Sequence, residues 1–269
     1  MRRKHTGGKT YERIAGRLPP KLAARMDLLL PETVTSGWSG AFNGQVKRQE
    51  MIEDLAAAVP FFAVVETGTY RGGTTDFVRA MTHLPVYTVE VHLRYHEYCR
   101  LRFRGDPGIS VREGDSREFL AQLAEDPGFP HGRVLFYLDA HWNVSGEATD
   151  EPPLRGELTT IAQYWTESVV VVDDFAVPGD PRYGFDVYGP GIELSMNFVR
   201  PEEVGSPTVF WPAAPASDET GARRGCVVFA YGAHVATKLS RLATLRPAEG
   251  QSEPPGVPIS PFSSTIRSG

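Results

Sequence analysis

The hydrophobic positions of the chain fall into short, nearly continuous runs that are separated by stretches of helical periodicity. Four Val-rich runs end on or near an acidic residue. Such runs are typical of parallel strands that helices cover on both faces, because neither face of the strand meets water. We predict strands at "FFAVVETG" (61–68), "VYTVEV" (86–91), "RVLFYLDA" (133–140) and "SVVVVDDF" (168–175), and a weaker one at "ISVREGD" (109–115).

Helical patterns alternate with these strands and predict a doubly wound, mostly parallel α/β sheet. Two further strands, "TVFWPA" (208–213) and "GCVVFAYG" (225–232), are joined by a polar loop with no room for a full helix. That spacing predicts an antiparallel C-terminal hairpin, and so a seven-stranded sheet in total. The helices are predicted at about 73–83, 93–103, 116–125 and 154–165, with two more at 21–30 and 45–58 before the first strand.

The chain divides by composition into three parts. Residues 1–58 are predicted to form an N-terminal helical cap, and residues 59–245 the α/β domain. Residues 246–269 are rich in Pro, Ser and Gly, which predicts a disordered tail. A length of 269 residues is enough for one large α/β domain.

Charge and composition narrow the possible partners. The net charge is −5, which disfavours nucleic acid because no basic field is available to hold phosphates. The chain contains no run of 18 or more apolar residues, so the sequence predicts no membrane span. The only two cysteines, Cys99 and Cys226, have no ligand spacing, and we interpret them as reduced thiols of a cytoplasmic protein.

A glycine-rich loop follows the first strand, in the sequence "ETGTYRGGTT" (66–75). A strand, a glycine turn and then a helix bring backbone N–H groups close to a ligand. The pattern lacks the close-spaced glycines of a dinucleotide loop and the Lys-Ser/Thr of a P-loop. Glu66 at its head disfavours a pyrophosphate and suits a ligand with a cationic or hydroxyl-bearing end. The alternative is that these residues are ordinary glycine turns and capping acids of the sheet.

Two further positions extend this pattern. Glu90 ends the second strand, where an acid can accept both hydrogen bonds of a ribose diol. The turn "GDS" (114–116) after the third strand is placed to meet an adenine ring. A loop, a second-strand acid and this turn in the same order favour a nucleoside-containing ligand.

At these residues the chain resembles the class I S-adenosylmethionine-dependent methyltransferases, over roughly residues 40–232. The resemblance implies that the acidic glycine loop holds the methionine part of S-adenosylmethionine, that Glu90 holds the ribose and that Asp115 and Ser116 hold the adenine. It also implies the antiparallel hairpin that ends the sheet. The predicted cofactor-binding residues are Glu66, Gly68, Thr69, Gly72, Glu90, Asp115, Ser116, Asp139 and Trp142.

Three more carboxylates end neighbouring strands. Asp139 ends the fourth strand, and Asp173 and Asp174 end the fifth. Adjacent strands lie about 4.8 Å apart, so these acids can converge, and a divalent cation would relieve their repulsion. Oxygen ligands suit Mg²⁺. The alternative is that Asp173 and Asp174 cap a loop and that Asp139 begins a turn.

The segments "LFYLDAHW" (135–142) and "VVVVDDF" (169–175) sharpen the resemblance. They are similar to the metal-binding strand ends of catechol O-methyltransferases and of the macrocin type of sugar O-methyltransferases, and "GAFNGQV" (40–46) resembles a helix start of the catechol type. The resemblance implies Mg²⁺ at Asp139, Asp173 and Asp174. Trp142 stands where the catechol type has its lysine base, so His141 is the nearest candidate base. A packing role for His141 is the alternative.

The segment "AVPGDPRYGFDVYGPG" (176–191), here called the lid segment, follows the acidic pair. Its three aromatic residues, Tyr183, Phe185 and Tyr188, suit a substrate-facing lid, and a surface loop with its own aromatic cluster is the alternative. Arg223 and Arg224 lie in the hairpin turn, either to meet an acidic substrate group or simply exposed to solvent.

These features predict an S-adenosylmethionine- and Mg²⁺-dependent O-methyltransferase. Its predicted substrate is a small molecule with adjacent oxygens, such as a sugar or a secondary-metabolite scaffold. We expect no nucleic-acid partner and no membrane partner, and the expected assembly is a homo-oligomer. Two alternatives stay open. One is another metal-dependent enzyme on this fold, a hydrolase or a hydroxylase, and the other is a non-catalytic module that keeps the cofactor pocket.

Overall fold

A computed structural model describes residues 6–31, 40–140 and 151–249 of the chain. The helices are α1 (Thr6–Ala15), α2 (Pro20–Leu29), α3 (Val46–Ala58), α4 (Gly73–Thr82), α5 (Leu93–Arg102), α6 (Ser116–Glu125), α7 (Leu154–Tyr164), α8 (Met196–Val199) and α9 (Ala233–Leu239). The strands are β1 (Ala63–Thr67), β2 (Val86–Glu90), β3 (Ile109–Glu113), β4 (Val134–Leu138), β5 (Val169–Asp173), β6 (Val187–Gly189), β7 (Ile192–Glu193), β8 (Thr208–Pro212), β9 (Cys226–Ala230) and β10 (Leu245–Pro247).

One mixed sheet has the strand order β10-β8-β9-β5-β4-β1-β2-β3. The five strands from β5 to β3 in this order are parallel, and β9, β8 and β10 add antiparallel pairs at the other edge. The predicted α/β fold class and the C-terminal hairpin are therefore confirmed. The two hairpin strands stand in the sheet in reverse of their order along the chain: β9 pairs with β5, and β8 lies outside β9.

The Val-rich strands are central because each of them is buried on both faces. In β5, Val170 and Val172 belong to the apolar core on one side of the sheet, whereas Val169 and Val171 belong to the core on the other side. Helices cover both faces, as continuous rather than alternating apolar runs require. The largest buried side chain, Trp165, follows α7 and packs its ring against Phe136 of β4.

Two parts of the sheet differ from the expectation. An eighth strand, β10, pairs with β8 at the edge of the sheet. The first two residues of the predicted disordered tail, 246 and 247, therefore belong to a strand. Residues 250–269 lie outside the described residues. The short ribbon of β6 and β7 lies within and just after the lid segment and was not predicted.

Both cysteines are buried free thiols, as the sequence predicts. Among the described helices, none is long and apolar enough to cross a lipid bilayer.

Candidate functional site

The centre of the sheet contains a topological switch point. From β1 the chain proceeds to β2 and β3 on one side, whereas β4 and β5 lie on the other. Ligands of doubly wound sheets bind in the crevice outside the carboxyl ends of the strands at such a point. The site is therefore expected where β1 and β4 end side by side, and this is where Thr67 accepts a hydrogen bond from the Asp139 N–H, at 2.9 Å.

Gly68, the first residue after β1, is required at this point for two reasons. Its φ of +83° is a conformation that L side chains rarely adopt. A Cβ at this position would also lie 2.4 Å from the Asp139 carbonyl oxygen. The close approach of the glycine loop (residues 68–73) to the end of β4 therefore explains Gly68 without a ligand.

Glu66 lies beneath the glycine loop and is 2% exposed. Its Oε2 accepts hydrogen bonds from the Thr75 hydroxyl and, at 2.7 Å, from the Thr88 hydroxyl. Burial raises the pKa of Glu66 from 4.5 to about 7, against the opposing effect of these two hydroxyls. Glu66 is thus a buried carboxyl beneath the loop, held by two hydroxyl groups.

Glu90, at the end of β2, holds the glycine loop in place. Its Oε2 accepts the Tyr70 N–H at 2.7 Å, and its Oε1 accepts the His92 N–H at 2.8 Å. Burial raises its pKa, whereas these backbone hydrogen bonds lower it. Each carboxylate oxygen has a further lone pair, so the residue keeps the capacity to accept hydrogen bonds from a ligand.

Thr69 and Gly72 have evident structural roles within the loop. Thr69 is buried, and its hydroxyl lies 2.5 Å from the Thr88 hydroxyl. Gly72 has a φ of +71° directly before α4, and a Cβ there would strike the Phe103 ring at 2.5 Å. Their assignment to cofactor binding stays a prediction.

Asp115 and Ser116 begin α6 after β3. The Asp115 carboxylate caps the helix by accepting the Arg117 N–H at 2.8 Å, and it also pairs with the Arg117 guanidinium. The Arg117 side chain holds the pKa of Asp115 below its usual value. The backbone of this turn is thereby fixed at the edge where the sequence predicts the adenine ring.

Glu157, in the first turn of α7, is a buried acid that the sequence analysis missed. The hydroxyls of Thr67 and Ser116 face its carboxylate, but within the described part of the chain neither of its oxygens has a partner at hydrogen-bond geometry. Burial raises its pKa from 4.5 to about 7. Glu157 therefore lies behind both the β1 end and the predicted adenine turn.

The N-terminal helices are tied to the glycine loop by a buried ion-pair network. Asp27 of α2 accepts hydrogen bonds from Arg94 at 2.8 Å and from the Tyr11 hydroxyl at 2.6 Å, and it pairs with Arg71 of the loop at 3.3 Å. Glu12 of α1 pairs with the same two arginines. Helices α1 and α2 of the predicted cap thus contact the loop through charged side chains.

Asp173 is the most strongly bound of the predicted metal ligands. It is 1% exposed. Its Oδ1 accepts the Arg48 guanidinium at 2.7 Å and the Asp174 N–H at 2.8 Å, and its Oδ2 accepts the Tyr137 hydroxyl at 2.6 Å. Burial opposes ionisation, but the Arg48 charge and these hydrogen bonds hold the pKa of Asp173 below its usual value. Asp173 is therefore a structural ion-pair partner.

Asp174 and Arg224 form the second ion pair at the end of β5. Asp174 has a φ of +55°, which turns the chain away from the sheet. The Arg224 Nε donates to Asp174, and the Arg224 Nη2 donates to Asp186 of the lid segment. Burial and the neighbouring Asp173 raise the pKa of Asp174 to about 7, which Arg224 opposes. Arg224 thus meets acids of this chain, in contrast to both expectations for the hairpin turn.

Asp139 completes the acidic group. Burial raises its pKa well above the usual value, and the charges of Asp173, Asp174, Glu66 and Asp186 raise it further. Asp139 thus lies near enough to the acids at the end of β5 to interact with their charges, with Asp186 as an additional member, and the metal-binding role of these acids stays a prediction. We call Asp139, Asp174 and Asp186 the acidic cluster.

The three predicted ligands do not fit a magnesium site as these side chains are arranged. Both carboxylate oxygens of Asp173 already accept hydrogen bonds, and Arg48 and Arg224 compensate the charges of Asp173 and Asp174, so a divalent cation would meet two guanidinium charges at this edge. In residues 6–31, 40–140 and 151–249, no group of three or more His, Cys, Asp or Glu residues is arranged to hold a metal ion. We therefore derive no chemical step through a metal.

The lid segment packs closely onto the domain. Tyr183 is buried in the core, and its hydroxyl donates to the Ala214 carbonyl at 2.9 Å, so it does not face a substrate. Tyr188 is half-buried beside Asp186, with a distance of 3.3 Å from its hydroxyl to Oδ2, and Phe185 is also half-buried. These two aromatics remain the candidates for substrate contact. His141 and Trp142 lie outside the described residues.

The chain was compared with protein-family models, with curated proteins and with solved structures. No protein-family model matches the chain. A ribosomal RNA small subunit methyltransferase A from Parasynechococcus marenigrum (strain WH8102) is 30% identical over 108 residues, which are 39% of this chain and 34% of that protein. The chain thus matches only about a third of the relative's length.

Two solved structures are similar to the chain at lower identity. A putative O-methyltransferase from Klebsiella pneumoniae is 16% identical, with a TM-score of 0.49, over 84% of this chain and 96% of that chain. The O-methyltransferase TomG from Streptomyces achromogenes, involved in tomaymycin synthesis and solved with S-adenosylmethionine, is also 16% identical, with a TM-score of 0.46, over 86% of this chain and 100% of that chain. All three matches are methyltransferases. Since a shared fold does not establish a shared reaction, the chemistry has to be argued from the site residues.

Proposed function

We propose that the protein is an S-adenosylmethionine-dependent methyltransferase that transfers the methyl group to a hydroxyl oxygen of a small molecule. The observation that carries the proposal is the switch point at the end of β1, where Glu66 accepts a hydrogen bond from Thr75 of α4 and Glu90 accepts the Tyr70 N–H of the glycine loop. An acidic crevice suits a sulfonium cofactor, because its positive charge is stabilised by nearby carboxylates.

The acidic cluster supports transfer to a hydroxyl group. Its carboxylates lie at the ends of β4 and β5, beside the proposed cofactor crevice, and can accept the hydrogen bond of a substrate hydroxyl. The oxygen would then attack the sulfonium methyl in line with the leaving sulfur, and the site would contribute chiefly by holding the two together. His141 stays our proposed base for the hydroxyl proton.

A small molecule is a better candidate substrate than RNA. The chain carries a net charge of −5, so no overall basic field is available to hold phosphates. Phe185 and Tyr188 of the lid segment, both half-buried beside the cluster, suit the face of a ring or a sugar. The magnesium requirement predicted from the sequence is not part of this proposal, because Arg48 and Arg224 already neutralise two of its three ligands.

Cofactor binding by Glu90 variants is the first test. We expect calorimetry to detect S-adenosylmethionine binding to the wild type, and Glu90→Gln to weaken it by about tenfold or more, because a charged hydrogen-bond acceptor is lost. Glu113→Gln is the matched control, since Glu113 is the cross-strand partner of Glu90 in β3 and is exposed. A wild type that binds no S-adenosylmethionine would refute the cofactor assignment.

Methyl transfer is measured next, as release of S-adenosylhomocysteine with a panel of sugars, diols and catechols. His141→Ala is expected to lower turnover about tenfold or more with unchanged cofactor affinity, as for the loss of a general base. Unchanged turnover would remove His141 from the mechanism. Cofactor binding without transfer to any acceptor would favour a non-catalytic module instead.

A further inference from the structure

We propose that Arg224 is the resident cation of the acidic cluster, that it takes the position a divalent metal ion would need, and that it holds the lid segment against the end of β5. The inference rests on the proposed function and deepens it: the site would work with an arginine in the place of a divalent metal ion. It is carried by the contacts of the Arg224 guanidinium with two carboxylates from different elements, Asp174 after β5 and Asp186 in the lid segment.

The backbone of Arg224 is fixed from both sides. The Gln45 side chain accepts the Arg224 N–H at 2.8 Å and donates to the Arg224 carbonyl at 2.9 Å. The same carbonyl accepts the Arg48 Nη2 at 2.7 Å. Gln45 is fully buried, so these contacts are shielded from water. The guanidinium therefore extends from a rigid base, and preorganisation reduces the entropy lost in its ion pairs.

The neighbouring turn is built around the same residue. Gly225 donates to the Gly184 carbonyl at 2.7 Å, and Gly184 donates to the Arg223 carbonyl at 2.9 Å. A Cβ on Gly225 would lie 2.2 Å from the Phe175 carbonyl oxygen, so only glycine lets these two segments of the backbone approach this closely. The lid segment and the hairpin turn are thus joined by backbone hydrogen bonds on either side of Arg224.

The charges of the site are consistent with a built-in cation. Arg48 compensates Asp173, which leaves the acidic cluster to Arg224. A metal ion between Asp174 and Asp186 would meet the charge of a guanidinium that already bridges them and whose backbone is held by hydrogen bonds to Gln45. We therefore expect the wild type to use the arginine, and a divalent ion to enter only when the arginine is removed.

Manganese binding, followed by electron paramagnetic resonance and calorimetry, tests this directly. We expect Arg224→Met to bind one Mn²⁺ at least about tenfold more tightly than the wild type, and Asp174→Asn in the same chain to abolish that gain. Arg223→Met is the matched control, because it removes the same charge one residue away, from an exposed side chain. It should bind Mn²⁺ like the wild type.

Hydrogen exchange gives a second measurement. Asp186 donates its N–H to the Asp174 carbonyl, and Leu194 donates its N–H to the Asp186 carbonyl. Both amides should exchange faster in Arg224→Met and in Arg224→Lys, since a lysine ammonium does not span both carboxylates as the guanidinium fork does. Arg224→Lys also keeps the test available if Arg224→Met fails to fold.

Two outcomes would overturn the inference. One is a wild type that binds a single Mn²⁺ and loses it on Asp174→Asn, and the other is an Arg224→Met chain that folds but gains no Mn²⁺ and exchanges these amides at the wild-type rate. S-adenosylmethionine affinity, measured on the same samples, separates this failure from a failure of the proposed function. If the wild type does not bind S-adenosylmethionine, the proposed function is refuted, and the result on Arg224 is unaffected.

Discussion

Replacing Arg48 with methionine is expected to destabilise the fold by about 3–5 kcal/mol, the usual cost of removing one partner of a buried ion pair. The Arg48 side chain is 2% exposed and that of Asp173 is 1% exposed, so the variant leaves a carboxylate in the interior with little access to water. Tyr137 still donates to Asp173, but a neutral hydroxyl cannot compensate the charge. Unfolding in urea, followed by circular dichroism, measures the loss.

An exposed ion pair provides the control for Arg48. Arg200 pairs with Glu203 at 3.0 Å, and their side chains are 54% and 42% exposed. Arg200→Met should cost less than about 1 kcal/mol, as surface pairs generally do. In a double-mutant cycle, Asp173→Asn should recover part of the loss caused by Arg48→Met, because it removes the uncompensated charge. Equal losses for the two arginine variants would show that the buried pair does not stabilise this edge of the sheet.

Glu157→Gln is expected to stabilise the protein in a strongly pH-dependent way. The pKa of Glu157 is about 7 in the folded chain against 4.5 for an ordinary glutamate, so the folded state holds the proton more tightly. Its stabilising contribution is complete below about pH 4.5 and is lost as the pH rises through about 7. The stability of the variant relative to the wild type should therefore rise by roughly 2–3 kcal/mol between about pH 5 and about pH 8.

The measurement for Glu157 is the free energy of unfolding in urea at both pH values. Glu118→Gln serves as the control, because Glu118 lies on the exposed face of α6 and loses the same charge. Its difference from the wild type should stay constant with pH. A Glu157→Gln difference that is equally constant would mean that the carboxyl is not carried into the interior in its neutral form.

The sequence predicted the fold wherever burial of an element imposed a recognisable pattern of apolar residues. The runs that became β1, β2, β4 and β5 are apolar at consecutive positions because both faces of the sheet are covered, and the helices between them were predicted close to their bounds. The hairpin was also predicted, because the loop between β8 and β9 is too short for a crossover helix. Strand β10 was missed, since three edge residues with a proline leave no such pattern.

The candidate site was predictable only in part. Acids at strand ends can be read along the chain, because parallel strands bring their carboxyl ends to one edge, and Glu66, Glu90, Asp139 and Asp174 do lie there. The arginine partners of these acids could not be predicted from the sequence. Arg48 is 125 positions from Asp173 and Arg224 is 50 positions from Asp174, and no local periodicity encodes such contacts.

By itself, then, the sequence determined the alternation of strands and helices, the edge at which the acids meet and the glycines that turn the chain there, because each depends on local conformation or on the burial of one element. The tertiary structure decided what the acids do. It placed a guanidinium on Asp173 and another on Asp174, and it buried Glu157 behind the β1 end. Such charges are set by side chains brought together from distant elements, where desolvation and pairing are decided only after the chain has folded.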